Sequence, residues 1–290
     1  MIFKGTATAL ITPFTRDGVD FESFDRILDD QLAGGVDAVV VLGTTGEPAT
    51  MTATEKKSVI EFAVNKLKGK LPVIVGTGAN STAAAVEMSL LAESLGADAL
   101  LLVTPYYNKA TQRGLIAHFT AVADAVHTPI ICYNVPGRTG VNLLPATFAE
   151  LAEHENIAAI KEASGNMEQI EEVIRLTEGK AVVYSGDDGI TIPVMAMGGM
   201  GVISVASNAA PRFTAEMTSA FLSGDLKKAA KMQLEMLPFV RALFSEVNPI
   251  PVKKAMELRG LCNGILRLPL TEMGAENAAI LEALLPSFVK

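Results

Sequence analysis

Residues 96–103 read Gly-Ala-Asp-Ala-Leu-Leu-Leu-Val, a turn that leads into an unbroken apolar run. The same order recurs at residues 35–42, Gly-Val-Asp-Ala-Val-Val-Val-Leu. Apolar runs that are continuous, without polar alternation, are typical of parallel strands covered on both faces. Both stretches therefore indicate the end of a helix, a turn and then a buried strand.

Similar apolar runs alternate with helical patterns along most of the chain. One helical pattern, residues 54–68, follows Thr52 and Glu55 at capping-box spacing, and another covers 81–95 and stops at Gly96. Repeated strand and helix units of this number predict an α/β fold, the (β/α)8 TIM barrel. An open doubly wound sheet is the rival, but no Gly-x-Gly-x-x-Gly follows the first strand. The eight runs are residues 7–12, 38–42, 72–76, 99–103, 129–133, 157–161, 181–185 and 201–205.

About a quarter of the chain follows the eighth run. Asp225 is placed to cap a helix through Phe244 that is kinked near Pro238, and further helical patterns cover residues 252–260 and 276–285. The sequence therefore predicts a (β/α)8 barrel over residues 1–224 and a C-terminal helical extension over residues 225–290.

The composition describes a chain with ample material for a packed core. Hydrophobic residues make up 49% and charged residues 19% of the 290 residues, and the net charge is −8. An acidic surface argues against nucleic acid and anionic membranes as partners. It also means that a site for a small anion has to be built locally from Arg, Lys and backbone N–H groups.

The cysteines and the apolar stretches of the sequence indicate the cellular compartment in which the protein works. Cys132 and Cys262 do not form a Cys-x-x-Cys pair, which predicts two buried thiols in a reducing cytoplasm. Residues 1–10 lack the pattern of a signal peptide. Residues 189–211 carry no charge, but Pro193 and several glycines interrupt them, so a buried helix, loop and strand are expected there and no membrane span.

Lys161 directly follows the apolar run at residues 157–160. Reactive groups of such barrels lie at the C-terminal ends of strands. A lysine held there loses water, which lowers its pKa, and the neutral amine can attack a ketone to form an imine. The protonated imine is an electron sink that needs no metal or organic cofactor. The alternative, a solvated lysine, is the commoner case for lysine in general, and the surrounding motifs decide against it.

Hydroxyl groups lie at the ends of other predicted strands. Tyr133 ends the strand before that of Lys161, and its phenol can pass protons during imine formation and carbon–carbon bonding. Thr44 and Tyr107 end two further strands and could join Tyr133 in a hydrogen-bonded relay. The alternative for each tyrosine is a rim residue with a satisfied hydroxyl.

Two segments fit the binding of carboxylates. In Gly43-Thr44-Thr45-Gly46, the glycines let backbone N–H groups approach an anion, with hydroxyl groups beside them. Arg138 follows Pro136-Gly137, a rigid turn that could direct its guanidinium over the barrel mouth, and arginine binds carboxylates bidentately. Taken alone, the alternatives are a tight turn and a surface arginine.

Other candidates are weaker. Asp187-Asp188 lacks a recurring third ligand, so no metal site is predicted, and the three histidines are dispersed. Residues 198–201 lie near the usual phosphate site of many barrels, but no Arg or Lys accompanies them before Arg212. A barrel that binds phosphate is therefore disfavoured.

At these residues the chain resembles the family of pyruvate-dependent Schiff-base lyases and synthases that includes N-acetylneuraminate lyase and dihydrodipicolinate synthase. The resemblance covers essentially the whole chain. Its motifs occur in order as Gly-Thr-Thr-Gly-Glu at 43–47, Pro-Tyr-Tyr-Asn at 105–108, Tyr-Asn-Val-Pro-Gly-Arg-Thr-Gly at 133–140, Ile-Lys-Glu-Ala at 160–163 and Asn-Pro-Ile-Pro-Val-Lys at 248–253.

The resemblance implies a lyase that condenses pyruvate with aspartate 4-semialdehyde on the route to diaminopimelate and lysine. Lys161 would carry the pyruvate imine. Thr44, Tyr107 and Tyr133 would form the proton relay, with Tyr107 reaching across from a neighbouring subunit of a homotetramer.

The resemblance also implies the residues that bind substrate. Thr45 would hold the pyruvate carboxylate, and the backbone of Gly186 and Ile203 would line its pocket. Arg138 would bind the carboxylate of the semialdehyde, and it separates this branch from the sialic acid lyases. The alternatives are another pyruvate aldolase acting on a sugar-acid aldehyde, and a barrel that binds a carboxylate without turnover.

The resemblance further bears on feedback inhibition. Lysine-inhibited members bind lysine at the dimer interface through an Asn, a Glu, His side chains and a Tyr. Asn80 and Tyr106 remain here, but Ala84 stands at the Glu position and Ala53 and Lys56 at the His positions. We therefore predict weak or absent inhibition by lysine, and a sub-millimolar inhibition constant in steady-state assays would contradict this.

Overall fold

The computed structural model describes residues 1–289 and contains one closed barrel of eight parallel strands in chain order. This confirms the predicted (β/α)8 architecture and excludes the open sheet. The strands are β1 Gly5–Ala9, β2 Ala38–Val41, β3 Val73–Gly76, β4 Ala99–Val103, β5 Ile130–Asn134, β6 Ile157–Glu162, β7 Val182–Ser185 and β8 Gly201–Ser204.

Helices cover the outside of the barrel and continue past it. Thr52 caps α2 through the predicted capping box with Glu55, and the side chain of Asp225 caps α10, which contains Pro238. The helices are α1 Phe21–Gly34, α2 Ala53–Leu67, α3 Thr82–Ser94, α4 Gln112–Ala123, α5 Pro136–Thr139, α6 Pro145–Leu151, α7 Met167–Thr177, α8 Thr191–Ala196, α9 Pro211–Leu222, α10 Leu226–Leu243, α11 Ile250–Leu258 and α12 Ala275–Leu284.

The first strand lies earlier than the apolar run at residues 7–12 predicts. β1 begins at Gly5 because its first residue pairs with Gly201 of β8. Leu10 and Ile11 lie beyond the strand but are still fully buried, and the Ile11 N–H donates to the side chain of Asn208. Leu10 and Ile11 are therefore apolar because they are packed, although they are not part of the regular ladder.

The hydrophobic core has two layers. The larger layer lies between the strands and the surrounding helices, and the smaller fills the barrel interior. At the end where the strands begin, the ring of Phe3 stacks on Tyr184 with ring centroids 4.1 Å apart, and the Tyr184 hydroxyl donates to the Phe3 carbonyl. This end of the barrel is thus filled by side chains.

The uncharged stretch 189–211 folds as expected, with α8, a loop and β8 packed in the protein. No helix within residues 1–289 is both long and apolar enough to cross a membrane. Three helices, α10, α11 and α12, follow the barrel helices. The division at residue 224 stays a prediction, and Lys290, the last residue of the expected extension, lies outside the described residues.

Candidate active site

A cavity of about 390 Å³ opens at the C-terminal ends of the strands. This is the end at which barrels of this type carry their reactive groups. The cavity brings together six of the residues singled out from the sequence: Thr44, Thr45, Tyr133, Arg138, Lys161 and Gly186.

Lys161 lies near the end of β6 with its side chain inside the barrel. In the strand register, Tyr133 of β5 pairs with Lys161 on one side, and Tyr184 of β7 pairs with it on the other. Only 4% of Lys161 is exposed. Its Nζ lies 4.4 Å from the centroid of the Tyr133 ring. The fold therefore places a single amine against an aromatic ring, in a site with little water.

Gly186 makes room for that amine. A Cβ atom at residue 186 would lie 2.6 Å from the Cβ of Ala163 and 3.0 Å from the Cε of Lys161. Since real side chains do not approach so closely, any larger residue would force Ala163, Lys161 or both to shift. Glycine is thus required at this point of the cavity for a steric reason.

The pKa of Lys161 is lowered to about 8, mainly by burial; the nearby charge of Asp188 opposes this shift and that of Arg138 adds to it. Asp188 is buried, and its neighbours in the chain, Asp187 and Gly189, line the cavity. Its carboxylate accepts hydrogen bonds from the Ser204 hydroxyl and from the backbone N–H groups of Val205 and Ala206. The burial of Lys161 outweighs this carboxylate, so a larger fraction of the amine is neutral at a given pH than for an ordinary lysine.

The lowered pKa predicts how imine formation depends on pH. At pH 7 about one Lys161 amine in ten is neutral, against about one in three thousand for an ordinary lysine. We expect the rate of borohydride trapping of pyruvate to rise with pH and to level off above pH 8, the pKa of the buried amine. A rate that keeps rising toward pH 10.5, the ordinary lysine value, would contradict this assignment.

Tyr133 remains a phenol at neutral pH. Burial raises its pKa to about 12, while the charge of Arg138 and a hydrogen bond with the Thr44 side chain oppose that rise. Its hydroxyl is therefore available to donate a proton next to Lys161. Thr44 lies in a short 3-10 turn, Thr44–Gly46, directly after β2.

The same turn offers Thr45 to the cavity. The Thr45 hydroxyl accepts a hydrogen bond from the side-chain amide of Asn248, with 3.0 Å between Nδ2 and Oγ1. Because the oxygen already accepts from Asn248, its own proton is free to be donated to a ligand. A buried hydroxyl donor in the cavity that Lys161 also lines fits the predicted binding of a small carboxylate.

Arg138 lies on the short helix α5 at the cavity mouth. The Thr139 hydroxyl fixes this helix by hydrogen bonds with the Val135 carbonyl and with the backbone of Val141. Arg241, near the end of α10, lines the same cavity. Two guanidinium groups therefore make the mouth locally cationic on a chain with net charge −8.

Two residues singled out from the sequence do not line the cavity. Tyr107 is 90% exposed and has a φ of 74°, and its side chain lies on the surface of this chain. Ile203 is fully buried among the side chains that fill the barrel interior. The roles expected for these two residues stay predictions.

Several cavity residues went unrecognised in the sequence. Asn248 belongs to the motif at residues 248–253, which carried the resemblance without an assigned role. Leu237, Arg241 and Phe244 reach the cavity from α10. A helical pattern alone does not show which face of α10 covers the barrel mouth, so no sequence signal identified them. Within residues 1–289, no cluster of three or more His, Cys, Asp or Glu side chains is arranged to hold a metal ion.

Comparison with known proteins identifies close relatives. Residues 2–287 match the model of the dihydrodipicolinate synthetase family. The 4-hydroxy-tetrahydrodipicolinate synthase of Thermoanaerobacter sp. (strain X514) is 51% identical over 288 residues, which cover 99% of this chain and 97% of that protein.

Solved structures agree with this similarity. Dihydrodipicolinate synthase from Thermotoga maritima superposes with a TM-score of 0.97 at 42% identity, covering 99% of each chain. The chloride inhibited dihydrodipicolinate synthase from Acinetobacter baumannii, complexed with pyruvate, gives a TM-score of 0.97 at 40% identity and covers 100% of both chains.

Proposed function

Because the chain belongs to the dihydrodipicolinate synthetase family, we propose that it condenses pyruvate with aspartate 4-semialdehyde to give 4-hydroxy-tetrahydrodipicolinate. It is a lyase of lysine and diaminopimelate biosynthesis. The observation that carries this function is the buried Lys161, whose amine has a pKa of about 8 in a cavity with a cationic mouth. The relative complexed with pyruvate, at 40% identity, supports pyruvate as the first substrate.

The first steps take place on Lys161. Its neutral amine attacks the ketone carbon of pyruvate, and the resulting carbinolamine loses water to form a protonated imine. Loss of a proton from the methyl carbon then gives an enamine, which attacks the aldehyde carbon of the semialdehyde. The amino group of the bound semialdehyde finally displaces Lys161, which closes the ring and frees the enzyme.

Tyr133 and Thr44 serve these steps as a proton relay. The Tyr133 phenol lies beside the amine, with its ring centroid 4.4 Å from Nζ, so it can protonate the leaving hydroxyl of the carbinolamine. Thr44 passes the proton onward. Tyr107 completes the relay of a neighbouring subunit, in keeping with its 90% exposure here. The working assembly that we propose, from the resemblance to the family, is a homotetramer.

Substrate binding follows from the polar groups of the cavity. Thr45 donates to the carboxylate of pyruvate, and the backbone of Gly186 and Ile203 lines the pocket around it. Arg138 binds the carboxylate of the semialdehyde. Since the imine itself withdraws electrons, this chemistry draws on no metal or organic cofactor. Residues 1–224 form the catalytic barrel, residues 225–290 extend it, and the enzyme works in the cytoplasm.

Replacing Arg138 by leucine tests the binding of the semialdehyde. We expect kcat/KM for the semialdehyde to fall by about 10- to 100-fold, the loss expected for a hydrogen bond between charged groups. Trapping of pyruvate on Lys161 should persist, because that step precedes the semialdehyde. Arg175, an exposed arginine paired only with Glu172, provides the control Arg175→Leu, which should leave both values unchanged. Equal kinetics of the two variants would refute the assignment.

A coupled assay tests the reaction itself. Purified protein is mixed with pyruvate, aspartate 4-semialdehyde and the downstream reductase, and consumption of NADPH is followed. Turnover supports the proposal. If turnover is absent while borohydride traps pyruvate, the protein is an aldolase for another acceptor. If pyruvate leaves no covalent mark either, the barrel binds carboxylates without catalysis.

A further inference from the structure

Lys253 and Glu47 form an ion pair inside the protein, near the cavity but not in its wall. Their side chains are 1% and 2% exposed, and the Lys253 Nζ lies 2.5 Å from the Glu47 Oε1. Lys253 also donates to the Ile265 carbonyl at 2.7 Å. The reaction proposed for Lys161 makes no use of this pair, so its burial needs a separate explanation.

Glu47 ends the turn that presents Thr44 and Thr45. Its backbone has a φ of 55°, a left-handed conformation that is uncommon outside glycine. This conformation joins the 3-10 turn Thr44–Gly46 to a second one, Pro48–Thr50. The Glu47 N–H donates to the Thr44 carbonyl at 3.2 Å. A shift of Glu47 would therefore move the two threonines with it.

Helix α11 and the segment just before it hold this turn at two points. Lys253, within α11, contacts Glu47 at the end of the turn. Asn248, two residues before α11, donates to the hydroxyl of Thr45 at 3.0 Å. The two contacts lie on either side of Gly46, whose carbonyl accepts a hydrogen bond from the Thr12 hydroxyl at 2.8 Å.

The cationic end of Lys253 is itself held in place. Its Nζ lies 4.1 Å from the centroid of the Phe14 ring, and the guanidinium of Arg267 lies 4.0 Å from the same centroid. Arg267 is fixed in turn by an ion pair with Glu55 and a hydrogen bond to the Thr50 carbonyl. Glu47 therefore meets a cation whose position is determined by several independent contacts.

Stability alone does not account for a charged pair at this place. Removing two charges from water is costly, and apolar residues of similar volume often stabilise a buried site equally well or better. A charged pair, however, defines direction and distance more sharply than an apolar contact. This favours a role in setting the geometry of the turn.

We infer that Lys253 and Glu47 are positioning residues for the pyruvate carboxylate: through this ion pair, α11 of the C-terminal segment holds the Thr44–Gly46 turn so that the Thr45 hydroxyl is directed into the cavity. The inference rests on the proposed function. It gives the C-terminal segment a part in binding the first substrate, in addition to covering the barrel mouth.

Lys253→Met tests the inference, with the pyruvate concentration dependence of both turnover and borohydride trapping as readouts. We expect KM and the trapping constant for pyruvate to rise about tenfold or more, as for a misplaced hydrogen bond to a charged ligand. KM for the semialdehyde should change by less than about twofold, because Arg138 is held by other contacts. In a protein that already carries Thr45→Val, adding Lys253→Met should raise KM and the trapping constant for pyruvate by less than about twofold. The two changes act through the same hydroxyl, so their effects should not add.

Arg259→Met is the matched control. Arg259 also joins the C-terminal segment to the barrel through a partly buried ion pair, with Asp30, at N–O distances of 2.6 and 2.7 Å, but it does not contact the turn. The Arg259→Met variant should have a lower Tm and an unchanged KM for pyruvate. If Lys253→Met and Arg259→Met affect Tm and the pyruvate constants alike, the pair is only structural and the inference is wrong.

A second variant covers the case in which Lys253→Met does not fold. The double variant Glu47→Leu, Lys253→Met leaves no unpaired buried charge, so it should fold. Raised pyruvate constants in this variant support the inference, and wild-type constants overturn it. Failure of the proposed function would look different, because the wild-type protein itself would then show no turnover with pyruvate and the semialdehyde, whether or not it traps pyruvate.

Discussion

Lys161→Ala is expected to lower kcat by about a thousandfold or more, because it removes the nucleophile on which every later step depends. Borohydride should no longer attach pyruvate to the protein. The alanine leaves a gap beside Gly186 and Tyr133, but the other contacts of the cavity remain, so the fold should persist. The measurement is the coupled NADPH assay, together with the mass of the protein after reduction with pyruvate.

Lys180→Ala is the control for this result. Lys180 is half exposed and pairs with Glu153 on the surface. It should keep full turnover and full labelling. If Lys161→Ala retained wild-type turnover, or if the wild-type label were found on another lysine, the covalent mechanism proposed for Lys161 would have to be abandoned.

Tyr133→Phe is expected to lower kcat by about 10²- to 10³-fold, within the range for loss of a positioned acid–base group. Phenylalanine keeps the ring over Lys161 and so keeps the amine away from water. The loss would therefore report proton transfer rather than a change in the pKa of the lysine. Single-turnover trapping of pyruvate should slow along with kcat, because the phenol assists the loss of water from the carbinolamine.

Tyr184→Phe provides a close control. Tyr184 is also buried, and it pairs with Lys161 from β7, the strand on the other side of β6 from Tyr133. Its hydroxyl donates to the Phe3 carbonyl at 2.8 Å, away from the reacting groups. This variant should lose about 1 kcal/mol of unfolding free energy, the typical value of one hydrogen bond, and keep its turnover. A larger kinetic loss for Tyr184→Phe than for Tyr133→Phe would argue against the relay.

The sequence predicts the barrel and the reactive strand ends because both depend on local order. Lys161 and Tyr133 each end an apolar run, and parallel strands bring such ends to one side of the sheet. Arg138 follows a rigid turn after one of these strands. Residues of this kind can be found by reading along the chain, since the strand positions them directly.

Other parts of the site depend on contacts between distant segments. Asn248 lies 203 positions from Thr45 in the chain, and no periodicity relates the two. Arg241 reaches the mouth because one face of α10 packs on the barrel, which an amphipathic pattern does not specify. For the same reason the sequence does not predict the ion pair of Glu47 with Lys253, although both residues belong to motifs visible in it.

Within residues 1–289, the stacked rings of Phe3 and Tyr184 fill the end of the barrel where the strands begin, and the cavity opens at the other end. If both substrates enter by this opening, we expect them to bind in a fixed order. We expect pyruvate to reach the amine of Lys161 before the larger acceptor occupies the entrance, and the water released by imine formation to leave through the same opening. We expect the cyclic product to leave by the same opening, so that a new pyruvate can bind only after the product has been released.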